Sequence, residues 1–181
     1  MSKKMLKACK AILLVLLATI MLTGCGSNMT SLSKFSELIE YELDEISLTI
    51  YFWTFSVRAN TTLESLKRIV GENRIVITGE ELAEHRDLLN QLANVELVPL
   101  RNNLRVDARM YYVFEHTEHG EIFSFLTYAI GAGGGNFDAV FANGQEVRGN
   151  RIFFEVVFPF LNEDAVSEIQ RNIDRWLPVS E

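Results

Sequence analysis

The hydrophobic period of the chain changes from helical to two near Val95, and the fold must accommodate that change. Val106, Ala108, Met110, Tyr112 and Phe114 alternate with Arg105, Asp107, Arg109 and Glu115. Alternation of this kind sends successive side chains to opposite faces of a strand. Glu118-His119-Gly120 supplies a turn, and residues 121–130 run back as the partner strand of a hairpin. Residues 95–100 are strand-like, with Pro99 marking an edge or an end. Residues 131–136 form a glycine-rich loop, and residues 137–142 predict a strand turned by Asn143-Gly144. The apolar run at residues 151–158 (RIFFEVVF) predicts the last strand.

Upstream, helical and extended segments take turns. Residues 33–43 place Phe35, Leu38, Ile39 and Glu42 at helical spacing. Residues 45–55 predict a strand with Ile46, Leu48, Ile50 and Phe52 on one face and Tyr51, Trp53 and Phe55 on the other. Thr61 and Glu64 have capping-box spacing, opening a helix striped with Leu63, Leu66 and Val70 and closed by Gly71. Residues 74–78 predict a short strand. Thr78 and Glu81 then cap a helix carrying Leu82, Leu88, Leu89 and Leu92, with its stop at Asn94. Asn162 caps a terminal helix whose Val166, Ile169, Ile173 and Trp176 share a face. Strands grouped this way predict an α+β fold, with a mainly antiparallel sheet of about five or more strands and three main helices.

The first and last predicted strands are apolar on both faces, as strands buried on both sides are. Five strands at about 4.8 Å span about 24 Å, whereas a helix is about 10 Å across. Two helices therefore cover one face and the third covers part of the other. A sheet curled around its own core is the expected solution; the alternative leaves an apolar patch for a partner or ligand.

The amino-terminal segment is of a different kind. Lys3, Lys4, Lys7 and Lys10 precede an uncharged apolar run over residues 11–24, the pattern of a secretory signal. The run is short for a spanning helix, which needs about 20 apolar residues. It ends in Leu22-Thr23-Gly24-Cys25, which resembles the lipobox of bacterial lipoproteins. The resemblance implies cleavage before Cys25 and lipid on its thiol, with membrane attachment through more than one acyl chain. The expected organisation is a lipoprotein signal peptide at residues 1–24, a lipidated Cys25 with a flexible tether to residue 33, and one α+β domain over residues 34–181. Within that domain, VITGEELAEHRDLLNQLANVELVP, MYYVFEHTEHGEIFSFLTY and AVFANGQEV resemble the small secreted domains of uncharacterised Gram-positive lipoproteins, across about residues 74–148. Those run strand, helix, hairpin with a glycine turn, then a strand ending in Asn-Gly; this chain departs from them by inserting GAGGG before Phe137. The resemblance implies no catalytic residues.

Cleavage would leave 157 of the 181 residues, the size of one domain with a real core. With the four signal lysines gone, 13 basic side chains face 24 acidic ones. That balance excludes nucleic acid as an expected partner and leaves membrane attachment to the lipid. Both cysteines, Cys9 and Cys25, belong to the signal and the lipidation site, so the domain is expected to hold no disulfide.

Candidate sites are few. His116, Glu118 and His119 are zinc-ligand types, but they sit at a predicted hairpin tip, where charge is expected from solvation alone. No metal or other cofactor is therefore assigned. The glycines before Asn136 precede a strand rather than a helix and have no lysine nearby, which does not suit a phosphate loop. Arg105 and Arg109 share a strand face and have the chemistry to hold a carboxylate or phosphate, though such a row is also ordinary on a solvated sheet face. Tyr51 and Trp53 are the aromatic candidates for a binding patch. No nucleophile motif is present. The expectation is an extracytoplasmic, lipid-anchored binding or protein-interaction module with an envelope protein as partner, not an enzyme. The alternatives are an envelope-acting hydrolase or a small-ligand carrier. The anchor has a direct test: cells fed labelled palmitate should label the wild-type chain and leave Cys25→Ser unlabelled, and label on the variant would overturn the lipobox reading.

Overall fold

The computed structural model describes residues 32–57, 60–100, 107–128 and 137–177. Cys25, Arg105 and the glycine-rich loop lie outside these residues. The elements are α1 (Ser33–Tyr41), β1 (Ile46–Phe52), α2 (Leu63–Val70), β2 (Ile75–Thr78), α3 (Gly79–Ala83), α4 (Arg86–Ala93), β3 (Ala108–His116), β4 (Gly120–Tyr128), β5 (Ala139–Ala142), β6 (Gln145–Arg148), α5 (Ile152–Glu155) and α6 (Glu163–Trp176). The six strands form one sheet in the order β2-β1-β3-β4-β5-β6, antiparallel throughout. This is the α+β fold expected from the change of period.

Strand β1 pairs with β3 from Ile46↔His116 to Phe52↔Met110. The hairpin β3–β4 turns where expected, with Gly120 at positive φ. Asn143 and Gly144 both adopt positive φ, 50° and 72°, as a two-residue hairpin turn requires. Beyond that turn the structure corrects the sequence reading. The partner of β5 is β6 at Gln145–Arg148, and residues 151–158 are not a strand. They wind into α5 and the 3₁₀ turn Phe158–Phe160. Asn150 Oδ1 accepts the Ile152 N–H at 3.1 Å, and Arg151 pairs with Glu155 one turn along at 3.1 Å. Ile152, Phe153, Phe154, Val156 and Val157 are all buried. A short run apolar on every side suits a buried helical turn as well as a buried strand, so periodicity alone does not separate them.

Smaller differences have local causes. The amino cap of α2 is Thr62, whose hydroxyl accepts the Ser65 N–H at 3.1 Å; Thr61 is buried and holds another partner. The single helix expected after Thr78 is two, α3 and α4, broken at Glu84–His85, with the Glu81 carboxylate accepting the Thr78 N–H at 3.3 Å. Gly79 begins α3 where its backbone lies so close to the Leu43 carbonyl that a Cβ would stand 2.1 Å from the oxygen. Residues 97–100 run beside β6 through a Pro99↔Val147 bridge, protecting that edge: the Leu100 N–H donates to Glu146 O and the Arg148 N–H to Val98 O, both at 2.9 Å.

The sheet does not curl around its own core. Helices α1 and α3–α6 all pack on one face, against Leu48, Ile50, Met110, Tyr112, Phe114 and Phe125. Phe55, expected opposite Phe52, leaves β1 and joins that core, its ring 5.3 Å from Phe137. On the other face α2 is the one helix, among the described residues, over Tyr51, Trp53, Tyr111 and Val113. Each face of β1 is thus buried, as its composition implied.

The fully buried Tyr112 hydroxyl donates to the Phe153 carbonyl at 2.9 Å and ties β3 to α5. Tyr112→Phe should lower stability by about 1–3 kcal/mol in urea denaturation, since the carbonyl loses its partner. Val76→Thr, on the exposed edge strand, should stay within about 0.5 kcal/mol of wild type.

Candidate functional site

The second face of the sheet holds an open groove. Helix α2 covers β1 and β3 but stops short of β4 and β5. Beside it runs an open groove of about 390 Å³. Leu63, Tyr111, Leu126 and Phe141 supply its apolar surface, and Glu121, Ser124 and Asn143 its polar rim. The pleat explains the set: Tyr111 pairs with Leu126 and Leu126 with Phe141, so three neighbouring strands aim side chains to the same side. Asn143 fixes the rim. Its N–H donates to Ser124 O at 2.8 Å and its Oδ1 accepts the Ser124 N–H at 2.9 Å.

Tyr111 is central to this face. Its ring lies 6.0 Å from that of Tyr51, and the Lys67 ammonium of α2 stands 4.5 Å from its centroid. A cation over a tyrosine face is attracted by the ring quadrupole, so Lys67 helps to hold α2 down. Burial pushes the Tyr111 phenol up to about 12, aided by the carboxylates of Glu121 and Glu115 and opposed by a hydrogen bond with Ser124.

The sequence-level candidates fall in three places. Tyr51 and Trp53 lie on this second face but under α2, outside the groove lining. Arg109 is not part of a solvated row: it is fully buried, with its guanidinium 2.7 Å from Asp107 Oδ2 and donating to Thr61 Oγ1 and the Val57 carbonyl, each at 2.9 Å. The Trp53 ring stacks 4.9 Å from it. That arrangement ties the segment before α2 to β3, with each charge answered. His116 and His119 come together, their rings stacked at 4.8 Å. The acid that joins them is Glu42, whose Oε2 is 3.1 Å from His116 Nε2. Glu118 contributes its backbone instead, donating its N–H to His116 Nδ1 at 3.1 Å.

A smaller groove of about 260 Å³ lies between the exit of β1 and α6, lined by Phe55, Ser56, Glu168, Arg171, Asn172 and Arg175. There the Glu168 carboxylate accepts from Thr54 Oγ1, the Ser56 N–H and Ser56 Oγ at 2.7, 3.1 and 3.0 Å. This is a tie between elements.

Sequence reasoning did not find the groove, because Leu63, Leu126 and Phe141 are ordinary apolar positions until strand order makes them neighbours. Glu42 was visible only as part of a helical stripe. No family model, no curated protein and no solved structure matches the chain.

The raised phenol sets the sign of an alkaline effect. Below pH 10 the folded and unfolded chains both keep the Tyr111 proton; between 10 and about 12 the unfolded chain releases it first, so stability falls as pH rises. Burial also raises the Tyr112 phenol, which adds in the same direction. Urea denaturation of Tyr111→Phe across this window should show a shallower loss than wild type. An unchanged slope would remove Tyr111 as a cause.

Proposed function

We propose that the chain is a membrane-anchored extracytoplasmic lipoprotein whose domain is a binding module, and that it engages an envelope protein partner through the second face of its sheet. The observation that carries this reading is the groove beside α2, where an apolar floor is bounded by Glu121, Ser124 and Asn143. Recognition surfaces combine an apolar centre with a few placed polar groups in this way. Leu126 and Phe141 stand on paired strands, so the floor is held by the sheet and not by a loop. Anchorage at Cys25 would keep the domain near the membrane, where an envelope protein is the available partner.

A small-ligand carrier is the second reading, favoured by volume. About 390 Å³ lies within the range of about 300–1,000 Å³ typical of small-molecule pockets. A hydrolase draws less support here, since Glu121 is the one carboxylate among the described lining residues, whereas hydrolysis of glycosides needs a pair.

The test is crosslinking in cells followed by pull-down from the membrane fraction, with wild type, Cys25→Ser and Leu63→Lys. Leu63 is half-buried at the start of α2, so a lysine there should alter the groove while leaving circular dichroism unchanged. Wild type should recover one envelope protein, and both variants should lose it. Recovery of the same protein with Leu63→Lys would reject the groove as the contact. A wild-type domain that recovers nothing specific would shift the reading to the small-ligand carrier.

A further inference from the structure

We propose that Glu42, His116 and His119 form a binding site for a divalent transition ion of the zinc class, separate from the groove. Each residue offers one ligand atom, and the three atoms lie within 4.8 Å of one another. Two imidazoles and a carboxylate are a known zinc donor set, leaving a fourth position for water. Zinc–ligand bonds of about 2.0–2.1 Å place tetrahedral ligand atoms about 3.3 Å apart, so the cluster must contract. It has the freedom to do so: His116 is held in the protein, while Glu42 and His119 are exposed and can swing.

The backbone already brings the ligands together. The register pairs Ile46 with His116, which sets the end of α1 beside the tip of the β3–β4 hairpin. Two further bonds clamp that tip: the Thr117 N–H donates to Glu45 O at 3.1 Å, and Thr117 Oγ1 donates to Glu45 Oε2 at 2.6 Å. A pair of ligands three residues apart in a turn thus acquires a third ligand 74 residues away. Glu45 and Glu118 add negative charge close by, which favours a cation over an anion at this end of the sheet.

Ion binding should leave a mark on one backbone amide. His116 Nδ1 accepts the Glu118 N–H, so a neutral ring carries its proton on Nε2, facing Glu42. A neutral imidazole bound through Nε2 carries its proton on Nδ1. The proton therefore moves from Nε2 to Nδ1, with no net release. Two N–H groups would then face each other, and the exposed turn at Glu118 must shift to relieve them.

The experiment is titration of the full-length chain, extracted from membranes in detergent, with Zn²⁺ by calorimetry and with Co²⁺ by visible absorption. We expect one ion per chain at micromolar affinity or tighter, and a Co²⁺ spectrum of tetrahedral type. His119→Ala and Glu42→Gln change exposed residues and should each weaken binding by at least about tenfold. Glu118→Gln should bind as wild type does, because Glu118 acts through its backbone. Hydrogen exchange at the Glu118 amide should speed up when the ion binds. Affinity no better than millimolar, or binding that survives both His119→Ala and Glu42→Gln, would overturn the proposal.

Discussion

Strand β3 is buried on both sides, and each layer of the domain depends on one set of its side chains. Met110, Tyr112 and Phe114 face the helical layer, and Tyr112 adds a hydrogen bond that reaches α5. Arg109, Tyr111 and Val113 face the other way, toward α2 and the segment that leads into it. A strand in this position has no solvated face to make its register negotiable, because a slip of one residue would exchange both sets. Arg109 sharpens the constraint. Shifted to the helical side, the Arg109–Asp107 pair would leave Thr61 and the Val57 carbonyl behind and enter an apolar core, which is far costlier than misplacing a methyl group.

This dependence explains which parts of the fold were legible. The β3–β4 hairpin reads well because its alternation extends over nine-residue strands joined at a glycine, and a helical pattern cannot imitate that length. The Asn143-Gly144 turn reads well for a local reason, since both residues must accept positive φ. The RIFFEVVF segment reads badly because its side chains are apolar on every side. Its helical state follows from Asn150, from the Arg151–Glu155 pair and from the space between the sheet and α6, of which only the first two are local. Phe55 fails similarly: its alternation continues on paper after the strand has ended at Phe52, and the turn at residues 55–56 takes the ring to the opposite core.

The candidate sites divide by the same logic. Arg109 looked like half of a charged row, but Asp107 two residues away on the same face already contained the answer, an ion pair within one strand. The histidines at 116 and 119 were visible as ligand types, while their partner acid was not. Glu42 and His116 meet because β1 and β3 pair, and strand pairing over such a separation is a property of the whole sheet. The groove is less local still. Its lining joins Leu63 at the start of α2 to side chains of β3, β4 and β5 and of the Asn143-Gly144 turn, so it depends on strand order across half the sheet.

Pleating keeps the two sites apart. Tyr111 and His116 lie on one strand, but an odd number of residues separates them, so their side chains leave by opposite faces. Five residues of strand also put about 17 Å between them along the sheet. The groove opens on the side of α2, whereas the histidine cluster sits at the margin of the helical core, beside the end of α1. The hairpin tip joins the groove through β4, whose Glu121 stands on the groove rim two residues from His119, while β3 is paired along its length on both sides. A strand so held transmits little displacement, because moving it would break two ladders at once. Coupling between the sites would run through the exposed Glu121, which is close to His119 in the chain and shares the groove rim with Ser124 and Asn143.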